Sequence, residues 1–147
     1  MSAFHYDELR VATSGLRGKT ESLRDAMLMP KTVLVADDSE MIRKLLCKLF
    51  ETEENYDLCA EAKNGEEAIS LAVIHKPDLI ILDVSMPVMD GLQAARKLKQ
   101  IMPHVPIMLF TQHVEAVNLS PDLQVDRVVA KTDLMSIMSH VRELAPL

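Results

Sequence analysis

The chain has 147 residues and a net charge of −6, and 3% of its residues are aromatic, so the length favours one domain and its core has to be aliphatic, with ten methionines filling gaps. No apolar run reaches the roughly 20 residues that a membrane-spanning helix needs, and the N-terminus lacks a basic-then-apolar signal; a cytoplasmic protein without a membrane partner is expected. Charges cancel within residues 1–30, so the whole −6 falls on residues 31–147, and an acidic domain of this kind is a poor partner for direct nucleic-acid binding.

Residues 1–30 hold Gly15, Gly18, mixed charge and no sustained period. They read as an N-terminal extension, either disordered or with a short helix over 20–29 capped by Thr20 and ended by Pro30. Met27 and Met29 stand just before the ordered pattern begins, and a native start at either is an open reading.

From Lys31 the pattern alternates. Thr32–Ala36 is a short apolar strand, and Ser39–Thr52 follows with Met41, Ile42, Leu45, Leu46, Leu49 and Phe50 at helical spacing. Asp57–Glu61 is a weaker strand. Asn64-Gly65 marks a turn before a helix over Glu66–His75, with Ala68, Ile69, Ala72 and Val73 facing in and Pro77 breaking it. Leu79–Asp83 is a strand, and Asp90–Met102 a helix with Leu92, Ala95, Leu98 and Ile101 or Met102 inward. Ile107–Thr111 is the fourth strand, and a poorly defined helix falls between His113 and Gln124. Arg127–Ala130 is the fifth strand, and Asp133–Leu144 the last helix, its stripe formed by Leu134, Ile137, Met138, Val141 and Leu144. Five strands alternating with five helices predict a parallel, doubly wound α/β sheet covered on both faces, over a domain of residues 31–147. Cys47 and Cys59 fit neither a disulfide framework nor a zinc pattern and read as reduced thiols.

The chemistry gathers at strand ends. Leu79 to Leu82 reads as a strand buried on both faces, with no place for a charge until Asp83 closes it ahead of a loop punctuated by Pro87 and Gly91. Carboxyl ends of parallel strands are where open α/β sheets place their sites. Asp37 and Asp38 follow the first strand directly; Asp38 or Ser39 would also serve to cap the next helix. Strand ends one and three are neighbours in a doubly wound sheet, so three carboxylates meet, a hard-oxygen set suited to Mg2+. Thr111 ends the fourth strand and Lys131 the fifth, where its ammonium is the counter-charge and could hold a phosphoryl oxygen. Thr132 or Asp133 would cap the last helix.

From Lys31 to Leu147 the sequence resembles the receiver domain of two-component response regulators. The matching pieces are Val33 to Ser39, Ala62 to Ala68, Leu82 to Gly91, Thr111, and Ala130 to Asp133, five pieces in the right order. The resemblance implies a flavodoxin-like sheet of strand order 2-1-3-4-5. It also implies that Asp83 is the phosphoacceptor, charged by a histidine kinase or a phosphotransfer protein. Mg2+ would be held by Asp37, Asp38, Asp83 and the backbone carbonyl of Ser85. Lys131 would contact the phosphoryl oxygens, and Thr111 would hydrogen-bond the phosphoryl group and draw its loop inward. Such a protein is not an enzyme beyond its own phosphorylation and dephosphorylation. It signals by binding an unknown downstream protein or by passing the group on, and a weak homodimer formed on phosphorylation is left open.

The sequence departs from the family pattern at several positions. Val128 stands where an aromatic or histidine often swings inward, and Gln112 replaces a small residue after Thr111. Pro121 and a short Thr111-to-Lys131 interval predict an abbreviated, mobile fourth helix. Ser85, Gln112 and His113 occupy positions expected to tune the lifetime of the acyl phosphate. A stand-alone receiver is the leading reading, since the chain ends soon after the last helix. The alternatives are a non-phosphorylated interaction module of receiver shape, and a phosphohydrolase working through an aspartyl phosphate. Ser85 speaks against the second, because it stands where such an enzyme needs a general acid.

Overall fold

The computed structural model describes residues 29–147, and the helix considered over 20–29 lies outside them apart from Met29. Residues 31–147 form one compact unit. Its elements are β1 (Lys31–Ala36), α1 (Glu40–Glu51), β2 (Tyr56–Ala62), α2 (Gly65–His75), β3 (Leu79–Leu82), α3 (Gly91–Ile101), β4 (Ile107–Thr111), α4 (Val114–Asn118), β5 (Arg127–Ala130) and α5 (Ile137–Leu144). A 3-10 turn over Lys131–Ser136 joins β5 to α5. The strands form one parallel sheet of order β2-β1-β3-β4-β5, as the sequence pattern and the resemblance predict.

Alternation along the strands sorts the core into two layers, because successive strand side chains point to opposite faces. Val33, Val35, Leu79, Ile81, Met108 and Phe110 pack with Leu46 and Phe50 of α1 and Ile137, Met138 and Val141 of α5. Leu34, Ile80, Leu82, Ile107 and Leu109 face the other way, onto Ala68 and Ala72 of α2 and Ala94, Ala95 and Leu98 of α3. Both faces of the central strand are sealed, and every residue from Leu79 to Leu82 is buried. The buried Tyr56 ties the edge strand to the far end of α5 through a 2.8 Å hydrogen bond from its hydroxyl to the Ala145 carbonyl.

Helix starts follow capping chemistry. Ser39 caps α1 by accepting from the Ile42 N–H, Asn64 caps α2 by accepting from Glu67, and Asp90 forms a reciprocal capping box with Gln93 on α3. Lys76 ends α2 in a left-handed conformation just before Pro77.

Three expectations need correction. The last helix does not run from Asp133: the chain turns as a 3-10 segment with a kink at Asp133 (φ −110°, ψ 43°), and α-helix begins at Ile137. Neither Thr132 nor Asp133 caps it, since neither helical segment has a side-chain cap there. Lys131 is held to carboxylates across the sheet end, so the chain has to turn tightly at once. Third, Val73 is about half exposed rather than inward, and of Ile101 and Met102 it is Met102 that packs against the core, with Ile101 about half exposed. Alanines form the contact faces of α2 and α3, and these helices sit close enough to the sheet that larger neighbours are pushed to the flank. On α1, Met41 and Leu45 are exposed, and the buried stripe is Arg43, Leu46 and Phe50. The fourth helix is abbreviated as expected, five residues with none buried.

The loop after β3 contains a strained position. Val88 has φ 68°, a conformation that a β-branched residue rarely adopts, and the Met89 N–H donates to the Pro87 carbonyl at 2.7 Å to close a tight turn around it. Such strain costs about 1–3 kcal/mol, while glycine there would lose about 0.5–1 kcal/mol through the freedom of the unfolded chain. Val88→Gly is therefore expected to stabilise the fold by about 1 kcal/mol. Urea unfolding checks this, and a lowered midpoint would refute it. The Val88 side chain is mostly solvent-exposed, so little packing is lost.

Candidate functional site

β1 and β3 are paired in register from Val33–Leu79 to Ala36–Leu82, which brings the residues that follow them side by side. The Asp83 N–H donates to the Ala36 carbonyl at 2.9 Å, so Asp83 still belongs to the ladder although it lies one residue beyond the strand. Asp37 is anchored likewise, its N–H donating to the Ala62 carbonyl at 3.0 Å. Both carboxylates are almost fully buried, whereas Asp38 is exposed. One oxygen from each of Asp37, Asp38 and Asp83 can be chosen so that all three lie within 4.8 Å of one another.

Lys131 enters from the end of β5. Its Nζ lies 2.7 Å from Asp37 Oδ2 and 2.9 Å from Asp83 Oδ2. Asp83 Oδ1 accepts from the Val84 N–H at 2.7 Å, and Asp37 Oδ1 from the Ser39 N–H at 2.9 Å. Burial pushes the Asp37 carboxyl above its usual range, and the neighbouring Asp83 adds to this against the opposing pull of the Lys131 and Ser39 hydrogen bonds. For Lys131, burial disfavours the charge, but hydrogen bonds to Asp37 and Asp83 outweigh it and raise its pKa above the usual value. The ammonium is thus charged throughout the neutral range.

Three acids against one lysine formally leave two uncompensated negative charges at this end of the sheet. One divalent cation would balance them, and the donors are all hard oxygens with one carboxylate open to solvent, so the site fits Mg2+, which keeps several waters. The structure therefore brings together Asp37, Asp38, Asp83 and Lys131. Ser85 is exposed in the loop two residues after Asp83. Thr111 is fully buried at the end of β4, and its hydroxyl accepts from the His113 N–H at 2.9 Å, within its own loop. Gln112 is exposed and His113 half-buried. Val128 pairs with Leu109 in the sheet and packs in the layer that includes Ala116 and Val117 of α4.

Two supporting residues escaped the sequence reading. Gly91 starts α3 directly behind Asp83; a Cβ there would lie 1.8 Å from the Asp83 carbonyl oxygen. Arg43 is buried and donates to the Asp37 carbonyl at 2.7 Å. Its sequence signal was its place in the stripe Arg43, Leu46, Phe50, a charge where helical spacing calls for an apolar residue.

A doubly wound parallel sheet with this charged rim at the ends of β1, β3 and β5 defines a flavodoxin-like α/β domain whose site lies where the fold class puts it. A family model described as the response regulator receiver domain matches residues 33–142, and the chain belongs to that family. The chemotaxis protein CheY of Halobacterium salinarum is 32% identical over 119 residues, 77% of this chain and 98% of that protein. The transcriptional regulatory protein PdtaR of Mycobacterium tuberculosis is 44% identical over 86 residues, 57% of this chain and 42% of that protein. The chain spans about half the length, or less, of the curated relatives it first matches. Among solved structures, response regulator protein TrrA of Thermotoga maritima, in complex with Mg(2+)-BeF, is similar with a TM-score of 0.70 and 33% identity, covering 78% of this chain and 98% of that one. Among the described residues, no helix is long and apolar enough to cross a membrane.

Proposed function

We propose that Asp83 accepts a phosphoryl group from a phosphohistidine of a kinase or phosphotransfer protein. An Asp83 carboxylate oxygen forms the new O–P bond as the P–N bond to the donor imidazole breaks, and the released imidazole nitrogen takes a proton from solvent. The observation that carries this reading is the shared grip of Lys131 on Asp37 and Asp83 at 2.7 and 2.9 Å. That ammonium already rests on the oxygen that would react, so it is placed to hold phosphoryl oxygens and offset their charge. Asp37, Asp38, Asp83 and the Ser85 carbonyl would hold Mg2+, which supplies charge neutralisation when bound.

The switch is proposed to run through Thr111. A hydroxyl can accept from the His113 N–H and donate its own proton to a phosphoryl oxygen. Drawing Thr111 inward would then carry His113 with it, and His113 leads straight into α4, which buries no residue and resists little. Val128 has no ring to swing, so the route through β5 is weak. Ser85, two residues after Asp83, and Gln112 and His113, one and two after Thr111, would tune hydrolysis of the acyl phosphate. The output is binding of a downstream protein or onward phosphotransfer.

The test is incubation with a small phosphodonor and Mg2+, followed by borohydride trapping and mass spectrometry. The reduced residue should map to Asp83 and depend on Mg2+. No adduct, or one at another residue, would overturn the assignment.

A further inference from the structure

Buried polar or charged side chains among the described residues are Asp37, Asp83, Thr111 and Arg43. The first three belong to the proposed site; Arg43 reaches it only through the Asp37 backbone, yet it is 8% exposed and carries a charge. Burying a guanidinium is costly unless it is hydrogen-bonded and paired. Its partners here are particular. Nη1 donates to the Asp37 carbonyl at 2.7 Å, and Nε faces Glu61 of β2 at 3.5 Å.

We infer that Arg43 is a positioning residue that sets the directions of the cation ligands Asp37 and Asp38, braced from behind by Glu61. This rests on the metal site proposed above. Asp37 is held at four points: its N–H by the Ala62 carbonyl, its carbonyl by Arg43, Oδ1 by the Ser39 N–H and Oδ2 by Lys131. The carbonyl bond fixes the plane of the peptide between Asp37 and Asp38. That plane in turn aims the exposed Asp38 carboxylate. Ser39 is pinned on the far side, since the Arg43 N–H donates to its carbonyl at 3.1 Å. One residue of α1 therefore grips the acid loop at both ends, through its backbone and through its guanidinium.

Charge and positioning make opposite demands, which makes the inference testable. A guanidinium so near an acidic cleft repels a cation, so on charge alone its removal would tighten Mg2+ binding. Positioning requires the reverse, because loss of a group that orients a ligand typically weakens metal affinity about 10–100-fold.

The experiment is a calorimetric Mg2+ titration of the metal-free full chain, wild type against Arg43→Leu, Arg43→Lys and Glu61→Gln, with thermal midpoints measured alongside. Arg43→Leu should raise the Mg2+ Kd about tenfold or more. Arg43→Lys keeps a donor and a charge and should recover much of that loss. Glu61→Gln should weaken binding less than Arg43→Leu while leaving the guanidinium in place. Backbone amide resonances of Asp38 and Ser39 should also shift in metal-free Arg43→Leu. A Kd unchanged or tightened in Arg43→Leu, with only the midpoint lowered, would reduce Arg43 to a structural strut and overturn the inference. Should Arg43→Leu fail to fold, an unchanged Kd in both Arg43→Lys and Glu61→Gln would do the same. A wild type that binds no Mg2+ would instead remove the metal reading itself, visibly before any variant is compared.

Discussion

Gly91→Ala should destabilise the domain by about 3 kcal/mol or more and remove Asp83 from its working position. A Cβ on Gly91 would lie 1.8 Å from the Asp83 carbonyl oxygen, 2.8 Å from its carbonyl carbon and 3.0 Å from Val84 Cα. All three are backbone atoms of the segment that carries the phosphoacceptor, so no side chain can rotate away to make room. The Gly91 N–H also donates to the Val84 carbonyl at 2.8 Å, which holds the start of α3 against that segment. Alanine gains about 1 kcal/mol over glycine in helix propensity, too little to offset the overlap. Either α3 withdraws and loses its seat, or the Asp83–Val84 peptide moves and breaks the Asp83 contact with Lys131. Against a total stability of about 5–15 kcal/mol the loss is large. Urea unfolding and phosphodonor labelling measure the two effects. A variant with wild-type midpoint and wild-type labelling would show that the close approach is not needed.

Gly91 also marks how far the sequence could be read. Strand order and the two-layer core were legible because hydrophobic alternation and strand-end acids are local patterns. The runs Val33 to Ala36 and Leu79 to Leu82 have no polar interruption, and the structure buries all eight residues. The convergence of Asp37, Asp38, Asp83 and Lys131 followed from topology, since a parallel sheet puts all its strand ends on one edge. Less legible were features that depend on exact separation. Helical period alone could not tell that the alanines of α2 and α3 would form the contact faces and leave Val73 and Ile101 outside. Nor could it show that Lys131, tethered to two acids, would force a 3-10 turn with a kink at Asp133. The Arg43 contact joins a helix side chain to a backbone carbonyl six residues earlier, and only the closed loop reveals it.

Asp37→Asn carries the other large expectation, and its two consequences have opposite sign. The folded state raises the Asp37 pKa, chiefly through burial, above the ordinary 3.8. A carboxyl whose folded pKa is raised contributes stability below its unfolded pKa and loses it as pH rises through the folded value. At neutral pH the ionised Asp37 therefore weighs against folding. Asparagine keeps the acceptor for the Ser39 N–H but not the charge, and Lys131 retains Asp83 as a partner. The metal-free variant should melt above wild type at neutral pH, since the burial that raises the Asp37 pKa then has one charge fewer to accommodate. The gain should vanish below about pH 3.8, where both forms are neutral in the folded and the unfolded chain. Adding Mg2+ should reverse the order, because a cation that binds only the folded wild type adds about 2.7 kcal/mol at a hundred times its Kd. Phosphodonor labelling of the variant should fall at least about a hundredfold, given the share of phosphoryl-transfer catalysis that rests on charge neutralisation. Thermal melts with and without Mg2+ across pH 3 to 8 test the stability arm. A variant less stable than wild type in metal-free buffer at neutral pH would mean that the Lys131 bridge outweighs the burial of Asp37. In that case the acid cleft would be a structural ion-pair cluster and not a site held under electrostatic strain for a cation.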